Sequence, residues 1–451
     1  MLLILGLPPL AVLSWYFYRL ASRLRSAPTS ASARASAHAF RSAEDLDNVS
    51  YADIDMCKAV PPATFSGYAV IGGSGFLGTY MVRLLIMRGE TSIRILDVTP
   101  PLPNILEHPS VSFVKTDITS LDSLRAGLSA PFPATGAHAS VIFHTAAIIR
   151  FWERAAYCWD ASYRVNVVGT KNVLAMAKEL VPAPMVIYTS SAETVAGCPK
   201  FMRIDWDEYP ASIQDDDRPP TFVRKESCYP RSKRMAEQLI ISASANEGLK
   251  TGILRPGHTI VGPNDRMISS TLMMPRLPMW DQPWTSTDIC VWDAAAAHLL
   301  YEDALRRIPD EVSGEAFLIT GRGPAWSIGN VRAAIKHYAT RELEFVQLPP
   351  LLMYLLAHMM ELLLAFRYRM LLPFATLMGT RPSVIPRWLG SAVFLQPATL
   401  DGQMVDVIID DSRARKVLGY RPQWDLAQSI RYSVDEIQSG NVVADHGLKV
   451  Q

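Results

Sequence analysis

The feature that most constrains the fold is a glycine-rich turn between an apolar segment and a helical pattern. Residues 67–73 read GYAVIGG, and FLGTYMVRLLIMRG follows with helical spacing and a glycine stop at Gly89. Gly72, Gly75 and Gly78 lie in the order G-x-x-G-x-x-G. Glycine is needed where a chain turns sharply, lets a pyrophosphate approach its backbone and packs a helix closely on a strand. The turn therefore predicts a dinucleotide-binding strand–turn–helix unit.

Further strand and helix patterns follow this turn. The predicted strands are SIRILD, VSFVKTD, ASVIFHTAA, PMVIYTSS and KTGILRPG, at residues 92–97, 111–117, 139–147, 184–191 and 250–257. Strands that alternate with helices predict an α/β fold with a doubly wound parallel sheet. Asp97 ends the second strand, where a carboxylate accepts hydrogen bonds from a ribose diol and repels a 2′-phosphate. This favours NAD over NADP, and the alternative is that Asp97 is a turn residue.

Composition excludes several classes of protein. The chain has 451 residues, 49% of them hydrophobic, which is enough for one large core or two modest ones. Its 44 Lys and Arg residues balance 43 Asp and Glu residues, which argues against nucleic acid as a partner. Five scattered cysteines lack the spacing of a zinc site or a disulfide framework, and no cluster of His, Cys and carboxylates predicts a metal.

The first eighteen residues, MLLILGLPPLAVLSWYFY, carry no charged side chain. Five arginines follow before the first acidic residue, Glu44, so the positive-inside rule predicts a signal anchor at 1–18 with the later chain in the cytosol. A cleaved signal is disfavoured because no basic residue precedes the apolar stretch, and a mitochondrial presequence is the alternative. We expect a flexible Ser/Ala-rich tether at 19–63.

Several motifs follow the glycine turn in order along the chain. They are DIT at 117–119, HTAA at 144–147, RVNVVGTKNVL at 164–174, YTSS at 188–191, YPRSK at 229–233, RPGHTIVGPND at 255–265, VWDAAAAHLL at 291–300 and ARKVLGYRP at 414–422. Together with the glycine turn, these motifs resemble the extended short-chain dehydrogenase/reductases. Within them, the chain is most similar to the branch of 3β-hydroxysteroid dehydrogenase/isomerases and sterol-4-carboxylate 3-dehydrogenases, from about residue 67 to 433. The resemblance implies a Rossmann-type NAD-binding domain at 64–255 and a smaller substrate-binding region at 256–451.

The resemblance implies that Tyr229 is the general acid/base and that Lys233 holds the cofactor ribose. Their separation of four places both side chains on one helix face. Pro230 is accepted in a first helical turn, which puts Tyr229 at the helix entrance. A nearby ammonium and a positive nicotinamide ring should lower the tyrosine pKa from its usual value near 10. Read without the other motifs, such a pair is more often structural.

By the same resemblance, Ser191 hydrogen-bonds the reacting oxygen. Thr189 and Ser190 compete for this role, because SSAETVAG is one residue longer than the related turn in steroid dehydrogenases; a serine that only ends the strand is the structural alternative. His144 and Asn166 are expected to be scaffold residues. The predicted cofactor-binding residues are Gly72, Gly75, Phe76, Leu77, Gly78, Asp97, Asp117, Ile118, Tyr229 and Lys233.

A second apolar segment spans residues 348–379. Its polar residues Tyr354, His358, Glu361 and Tyr368 fall near one face at helical spacing, which favours a helix lying in a membrane interface. A buried core helix and a true membrane span are the alternatives. A lipid-facing helix near the site favours an insoluble steroid, sterol or triterpenoid alcohol over a sugar.

These observations predict NAD-dependent oxidation of a 3β-hydroxyl to a ketone, with loss of carbon dioxide where the substrate bears a 4-carboxyl group. The alternatives are an epimerase or ketone reductase of the same superfamily and a membrane-tethered NAD-binding scaffold without turnover. We expect membrane lipid as a partner, no nucleic acid, and the endoplasmic reticulum membrane as the location, with a mitochondrial membrane as the alternative. The residues leave open a monomer or a homodimer and locate no proton shuttle for a Δ5–Δ4 isomerisation.

Overall fold

The computed structural model describes residues 9–25, 43–133, 135–196, 201–202, 212–213, 227–263 and 265–440, without the side chains of residues 212, 213 and 387. All residues predicted to form the site lie within these ranges.

A central sheet of seven parallel strands organises the fold and confirms the predicted doubly wound architecture. The strand order is β7-β6-β5-β4-β1-β2-β3. The strands are mostly apolar and buried, as expected for a parallel sheet covered on both faces, except for the edge strand Val111–Lys115, which is partly exposed. They are β1 (Gly67–Ile71), β2 (Ser92–Asp97), β3 (Val111–Lys115), β4 (Val141–His144), β5 (Met185–Thr189), β6 (Thr251–Pro256) and β7 (Ala316–Ile319).

Helices cover both faces of this sheet. On one face, Tyr80 and Leu84 of the helix Phe76–Met87 pack with Leu299 of the helix Val291–Arg307. On the other face, Leu174 and Ile240 belong to a second apolar cluster. The α-helices are Pro9–Arg25, Ala43–Asp47, Phe76–Met87, Pro103–Leu106, Leu121–Ser129, Trp159–Ser162, Gly169–Glu179, Cys228–Glu247, Arg266–Met273, Val291–Arg307, Pro309–Val312, Ile328–Tyr338, Pro350–Leu377, Pro397–Gln403, Ser412–Val417 and Leu426–Gln438.

The C-terminal half returns to the central sheet through β7, a strand that the sequence patterns did not identify. β7 pairs in parallel with β6, so residues after 256 also complete the dinucleotide-binding sheet. Other parts of this half form small two-stranded sheets. These pairs are Ser212–Ile213 with Ile408–Ile409, Ile260–Val261 with Ile289–Cys290, Arg276–Met279 with Glu344–Gln347, and Thr285–Ser286 with Trp326–Ser327.

The N-terminal helix, Pro9–Arg25, continues beyond the predicted anchor at 1–18, whose first eight residues lie outside the described chain. Its Leu20 and Leu24 are buried against other apolar side chains, including Met353. The segment after residue 42 is also ordered, because Leu46 and Met56 enter apolar clusters. This differs from the flexible tether predicted for 19–63, of which residues 26–42 lie outside the described ranges.

The helix Pro350–Leu377, called the long apolar helix below, has its polar face toward the protein. Glu361 pairs with Arg154, Tyr354 donates a hydrogen bond to Asp401 Oδ1 at 3.3 Å, and the Tyr368 ring stacks on Tyr157 at 4.4 Å between ring centroids. The opposite face is exposed and apolar, with Leu362 at 70% exposure and Phe366 at 65%. Within the described residues, this helix alone is long and apolar enough to cross a membrane.

Candidate active site

The glycine turn lies at the carboxyl end of β1, where the strand order reverses between β1 and β4. Ligands of doubly wound sheets bind at such a point. Gly72 has a φ of +85°, and a side chain there would place its Cβ 2.6 Å from the main-chain N of Ala146. A Cβ on Gly78 would overlap the carbonyl oxygen of Gly72. Both glycines are therefore required by the close approach of neighbouring backbone.

Gly75 has a different role, because it faces more open space. A Cβ there would meet only the Gly72 oxygen, at 3.2 Å. Gly75 is the N-cap of the helix Phe76–Met87 and provides no side-chain cap, so the first N–H groups of the helix can bind an anion. The side chains of Phe76 and Leu77 are buried in the apolar core, which leaves their main-chain groups for the predicted cofactor contacts.

Asp97 is the last residue of β2, and Asp117 follows the end of the adjacent parallel strand β3 by two residues, so both lie at the same edge of the sheet. Asp97 Oδ2 accepts a hydrogen bond from the main-chain N of Ser74 at 3.2 Å, which connects β2 with the glycine turn. Asp117 is exposed, and its Oδ1 accepts the main-chain N–H of Thr119 at 2.9 Å. Ile118 is buried. The structure thus brings the predicted adenosine-side residues to one crevice.

Ser191 and Tyr229 lie close together at the carboxyl end of β5, near enough for the Ser191 hydroxyl to lower the pKa of the Tyr229 phenol. Tyr229 lies in the first turn of the helix Cys228–Glu247, called the Tyr–Lys helix below, whose N-cap is Ser227. The structure confirms the helix entrance that was predicted around Pro230. Tyr229 is only 8% exposed, so its phenol lies inside the protein.

Lys233 is buried on the same helix and reaches the end of β5. Its Nζ donates a hydrogen bond to the main-chain oxygen of Thr189 at 2.7 Å and lies 4.6 Å from the ring centroid of Tyr188. The distance from Nζ to the Tyr229 ring centroid is 6.0 Å. Lys233 therefore fixes the Tyr–Lys helix to the strand that precedes Ser191.

Burial is the largest influence on the pKa values of Tyr229 and Lys233 in the protein without cofactor. Burial raises the pKa of Tyr229 above its usual value; the Ser191 hydrogen bond opposes the increase, and the charge of Glu193 adds to it. The prediction of a lowered tyrosine pKa included a bound nicotinamide ring beside the ammonium of Lys233, so it stays a prediction. Burial lowers the pKa of Lys233 to about 7, opposed by the carboxylate of Glu237. A buried phenol therefore needs an additional positive charge to become a base near neutral pH.

The three hydroxyl residues after β5 have different surroundings. Thr189 Oγ1 is 2.7 Å from His298 Nε2, so its hydroxyl is already engaged. Ser190 Oγ is buried without a hydrogen-bond partner in the described part of the chain. Ser191 is the member of the three whose side chain contacts Tyr229. The geometry therefore favours Ser191 among the three predicted candidates.

Asn166 and His144 support the site from behind. Asn166 lies in a π-helix, Tyr163–Val168, and its Nδ2 donates to Ser232 Oγ at 2.9 Å. Ser232 in turn donates to the main-chain oxygen of Tyr229 at 2.7 Å. His144 Nε2 is 2.9 Å from Thr170 Oγ1, and burial followed by the charge of Lys233 lowers the pKa of His144 to about 3. Both residues have the environment of scaffold positions.

Sequence reasoning missed His258 and Glu193, which form a pair close to Ser191. His258 Nδ1 lies 3.2 Å from Glu193 Oε1. Glu193 follows Ser191 by two residues, and His258 follows the end of β6 by two residues. Because parallel strands place their carboxyl ends at one edge, the position of His258 after β6 was the available signal.

Comparison with known proteins identifies the family. The family model described as the 3-beta hydroxysteroid dehydrogenase/isomerase family matches residues 69–347, more than half of the chain. The chain belongs to this family. Among relatives of the family, the sterol-4-alpha-carboxylate 3-dehydrogenase, decarboxylating, of Candida albicans is 26% identical over 387 residues, covering 81% of this chain and 96% of the relative.

Other proteins extend these similarities. The 3beta-hydroxysteroid-dehydrogenase/decarboxylase isoform 1 of Arabidopsis thaliana is 25% identical over 391 residues, which cover 81% of this family member and 78% of the relative. The solved structure of UDP-glucose 4-epimerase from Thermotoga maritima aligns with a TM-score of 0.57 and 16% identity, covering 83% of this chain and 100% of the epimerase. The epimerase shows the shared fold, which is the one predicted.

Proposed function

We propose that this family member oxidises the 3β-hydroxyl of a steroid, sterol or triterpenoid to a 3-ketone with NAD. The observation that carries the proposal is the contact of Ser191 with Tyr229 at the end of β5, with Lys233 anchored to the same strand. The family itself, and the similarity to the Candida albicans enzyme over nearly its whole length, support this reaction over sugar epimerisation.

The residues present fit a dinucleotide. Gly75 leaves room beside the helix N-terminus for a pyrophosphate, and Gly72 and Gly78 allow the tight turn that forms this cradle. Asp97 is placed for a ribose diol at the end of β2, where its charge would repel the 2′-phosphate of NADP. We assign Gly72, Gly75, Phe76, Leu77, Gly78, Asp97, Asp117, Ile118, Tyr229 and Lys233 to cofactor binding.

In the proposed reaction, Ser191 and Tyr229 bind the alcohol oxygen and the Tyr229 phenolate takes its proton. A bound NAD⁺ would supply the hydride acceptor and a positive charge near the phenol. Lys233 adds positive charge from the side of β5 and stabilises the same phenolate. The serine hydroxyl donates a hydrogen bond to the oxygen as negative charge develops on it. No step requires a water molecule, which suits a buried site.

The test is Tyr229→Phe in the full chain, with NADH formation from a 3β-hydroxysterol as the readout. We expect a loss of turnover of about 10³-fold because the acid/base group is removed. NAD binding, measured by calorimetry, should persist because the ring still fills its place. Binding of NAD without turnover of any 3β-hydroxysterol by the unmodified protein would instead favour a non-catalytic scaffold.

We further propose that the protein associates with a membrane through the long apolar helix, which lies in the interface. Its polar face is occupied by Arg154, Tyr157 and Asp401, whereas Leu362, Phe366 and Phe374 are exposed. A helix of 28 residues is about 42 Å long, so it can offer an extended apolar strip to lipid. Such a strip gives an insoluble sterol a route from lipid to the site.

Liposome flotation tests this association. We expect the double variant Leu362→Asn and Phe366→Asn to bind vesicles more weakly while it keeps its activity in detergent. Met273→Asn is the matched control, because Met273 is also exposed, at 78%, but belongs to another helix. Equal flotation of both variants would exclude the long apolar helix as the lipid-binding element. We assign the membrane of the endoplasmic reticulum as the location, which imaging of the tagged full chain can check.

A further inference from the structure

A histidine–carboxylate pair lies near Ser191, at the carboxyl ends of the strands β5 and β6. His258 Nδ1 is 3.2 Å from Glu193 Oε1, and the two side chains are 16% and 27% exposed. The main chain fixes the histidine, because its N–H donates to the Thr287 oxygen at 2.9 Å. The pair is therefore held between the segments that follow β5 and β6.

Short contacts connect this pair to the site. The main-chain N of Glu193 donates to Ser191 Oγ at 3.2 Å, and the Ser191 hydroxyl contacts Tyr229. The charge of Glu193 is also close enough to raise the pKa of Tyr229. A substrate whose 3-oxygen rests on Ser191 and Tyr229 would thus present its ring beside the histidine–carboxylate pair.

The surroundings of His258 favour its charged form. Burial lowers the pKa of His258, but the contact with Glu193 and the charges of Glu193 and Asp288 raise it further, so that the net pKa is above the usual value. Asp288 is fixed by the main-chain N–H of Thr259, which donates to Oδ1 at 3.1 Å. Within the described residues, no group hydrogen-bonds His258 Nε2. An imidazolium here would have one N–H available to a substrate.

Oxidation of a 3β-alcohol does not use such a group, because Tyr229 already takes the hydroxyl proton. Chemistry at the neighbouring ring carbon does. When a 4-carboxyl group leaves a 3-ketone as carbon dioxide, the electrons of the broken C4–carboxyl bond form the C3–C4 double bond of an enolate. Ser191 and Tyr229 can hold the enolate oxygen, but C4 still needs a proton.

We propose that His258, held by Glu193, donates this proton to C4 when the substrate carries a 4-carboxyl group. The Nε2 proton moves to C4, the enolate returns to the ketone, and the histidine regains a proton from water. The inference rests on the proposed 3β-hydroxyl oxidation and adds a second acid/base group to it. The pair would have a purely structural role if His258 never reached the substrate.

The test compares His258→Gln with the unmodified protein on two substrates, a 3β-hydroxy-4-carboxysterol and the same sterol without the carboxyl group. NADH formation from the simple alcohol should be unchanged. Release of carbon dioxide should be unchanged, because the C4–carboxyl bond breaks before C4 is protonated. Protonation of C4 should slow by about 10²-fold, so that the enolate persists and is trapped as an enol acetate by acetic anhydride in rapid-quench samples. In deuterium oxide, deuterium should enter one face of C4 with the unmodified protein and both faces with the variant.

A matched control is His337→Gln, which removes another histidine–carboxylate pair. His337 Nε2 lies 2.8 Å from Asp47 Oδ1, on helices away from the central sheet. This variant should behave like the unmodified protein in every assay. Glu193→Gln provides a second test in case His258→Gln fails to fold, and it should also slow protonation of C4 and let deuterium enter both faces.

The outcomes separate this inference from the proposed function. If the unmodified protein oxidises both sterols and His258→Gln protonates C4 at the normal rate and on the normal face, the role of His258 is wrong and the oxidation stands. If His258→Gln loses activity toward both sterols equally, the histidine acts in the oxidation or in the structure, and the inference fails. If the unmodified protein oxidises neither sterol, the proposed function itself fails.

Discussion

Arg154 and Glu361 form a bidentate ion pair, with N–O distances of 2.6 and 2.7 Å. Arg154 lies in the segment after β4, and Glu361 lies on the polar face of the long apolar helix. The residue before Arg154 accepts a hydrogen bond through its main-chain oxygen from the N–H of Cys228, at 2.7 Å. The pair therefore connects the long apolar helix to the first residue of the Tyr–Lys helix.

The first prediction concerns this pair. Glu361→Gln should reduce the free energy of unfolding by about 2 kcal/mol, because it leaves the largely buried Arg154 guanidinium without one of its charged partners. It should also raise the KM for sterol more than it lowers kcat, since it affects the entry side and not the reacting groups. Denaturant unfolding and steady-state kinetics provide the two measurements.

Glu344→Gln is the control for that change. Glu344 pairs with Arg276 at 2.7 Å, but both side chains are more than half exposed. Its loss should therefore cost less than about 1 kcal/mol and leave the KM unchanged. An equal cost for the two variants would show that the pair at Arg154 has no special role.

The second prediction separates the neighbouring serines. Ser191→Ala should lower kcat by about 10²-fold, because it removes the hydroxyl that contacts Tyr229 and stabilises charge on the substrate oxygen. Ser190→Ala should have little effect, because the Ser190 hydroxyl has no partner among the described residues. Turnover of a 3β-hydroxysterol is the measurement. A larger loss for Ser190→Ala would transfer the proposed role to Ser190.

Sequence patterns predicted the parts of this fold that local chemistry determines. The glycine turn, the end of β2 at Asp97 and the entrance of the Tyr–Lys helix near Pro230 follow from sterics and helix capping. β7 was missed because four apolar residues carry too little periodicity to identify a strand. His258 was missed because it pairs with Glu193, which lies 65 residues earlier in the chain, so that local sequence patterns do not reveal the contact.

The long apolar helix shows both the strength and the limit of periodicity. The sequence placed Tyr354, Glu361 and Tyr368 on one face, and the structure confirms this. The periodicity of the sequence could not show which face of the helix is turned toward the protein. The partners Arg154, Tyr157 and Asp401 come from distant segments, so the orientation depends on tertiary contacts.

The third prediction concerns cofactor choice. Asp97→Ser should weaken NAD binding about tenfold, because a charged acceptor at the end of β2 is lost. The same change should increase the relative use of NADP, because the repulsion of a 2′-phosphate disappears. The ratio of kcat/KM values for the two cofactors is the measurement, with the exposed Asp122→Ser as the control. An unchanged ratio would show that Asp97 acts only within its turn.

The fourth prediction uses the pKa of Lys233. In the folded protein without cofactor this pKa is lowered by burial to about 7, whereas the ordinary value is 10.5. Between these values the unfolded chain binds a proton that the folded protein does not, so stability should rise with pH over this window. Lys233→Met removes the titrating group, and its stability should therefore lack this rise.

Thermal unfolding of the protein without cofactor, followed between pH 7 and the ordinary lysine pKa of 10.5, checks this difference. Lys250→Met is the control, because Lys250 is exposed and lies just before β6. It should follow the pH dependence of the unmodified protein. Other groups titrate in the same range, so the comparison depends on the difference between the Lys233→Met curve and the two other curves. Three parallel curves would mean that Lys233 keeps its proton inside the folded protein. Its ammonium would then remain charged beside the Thr189 oxygen, and its stabilisation of the Tyr229 phenolate would not depend on pH in this range.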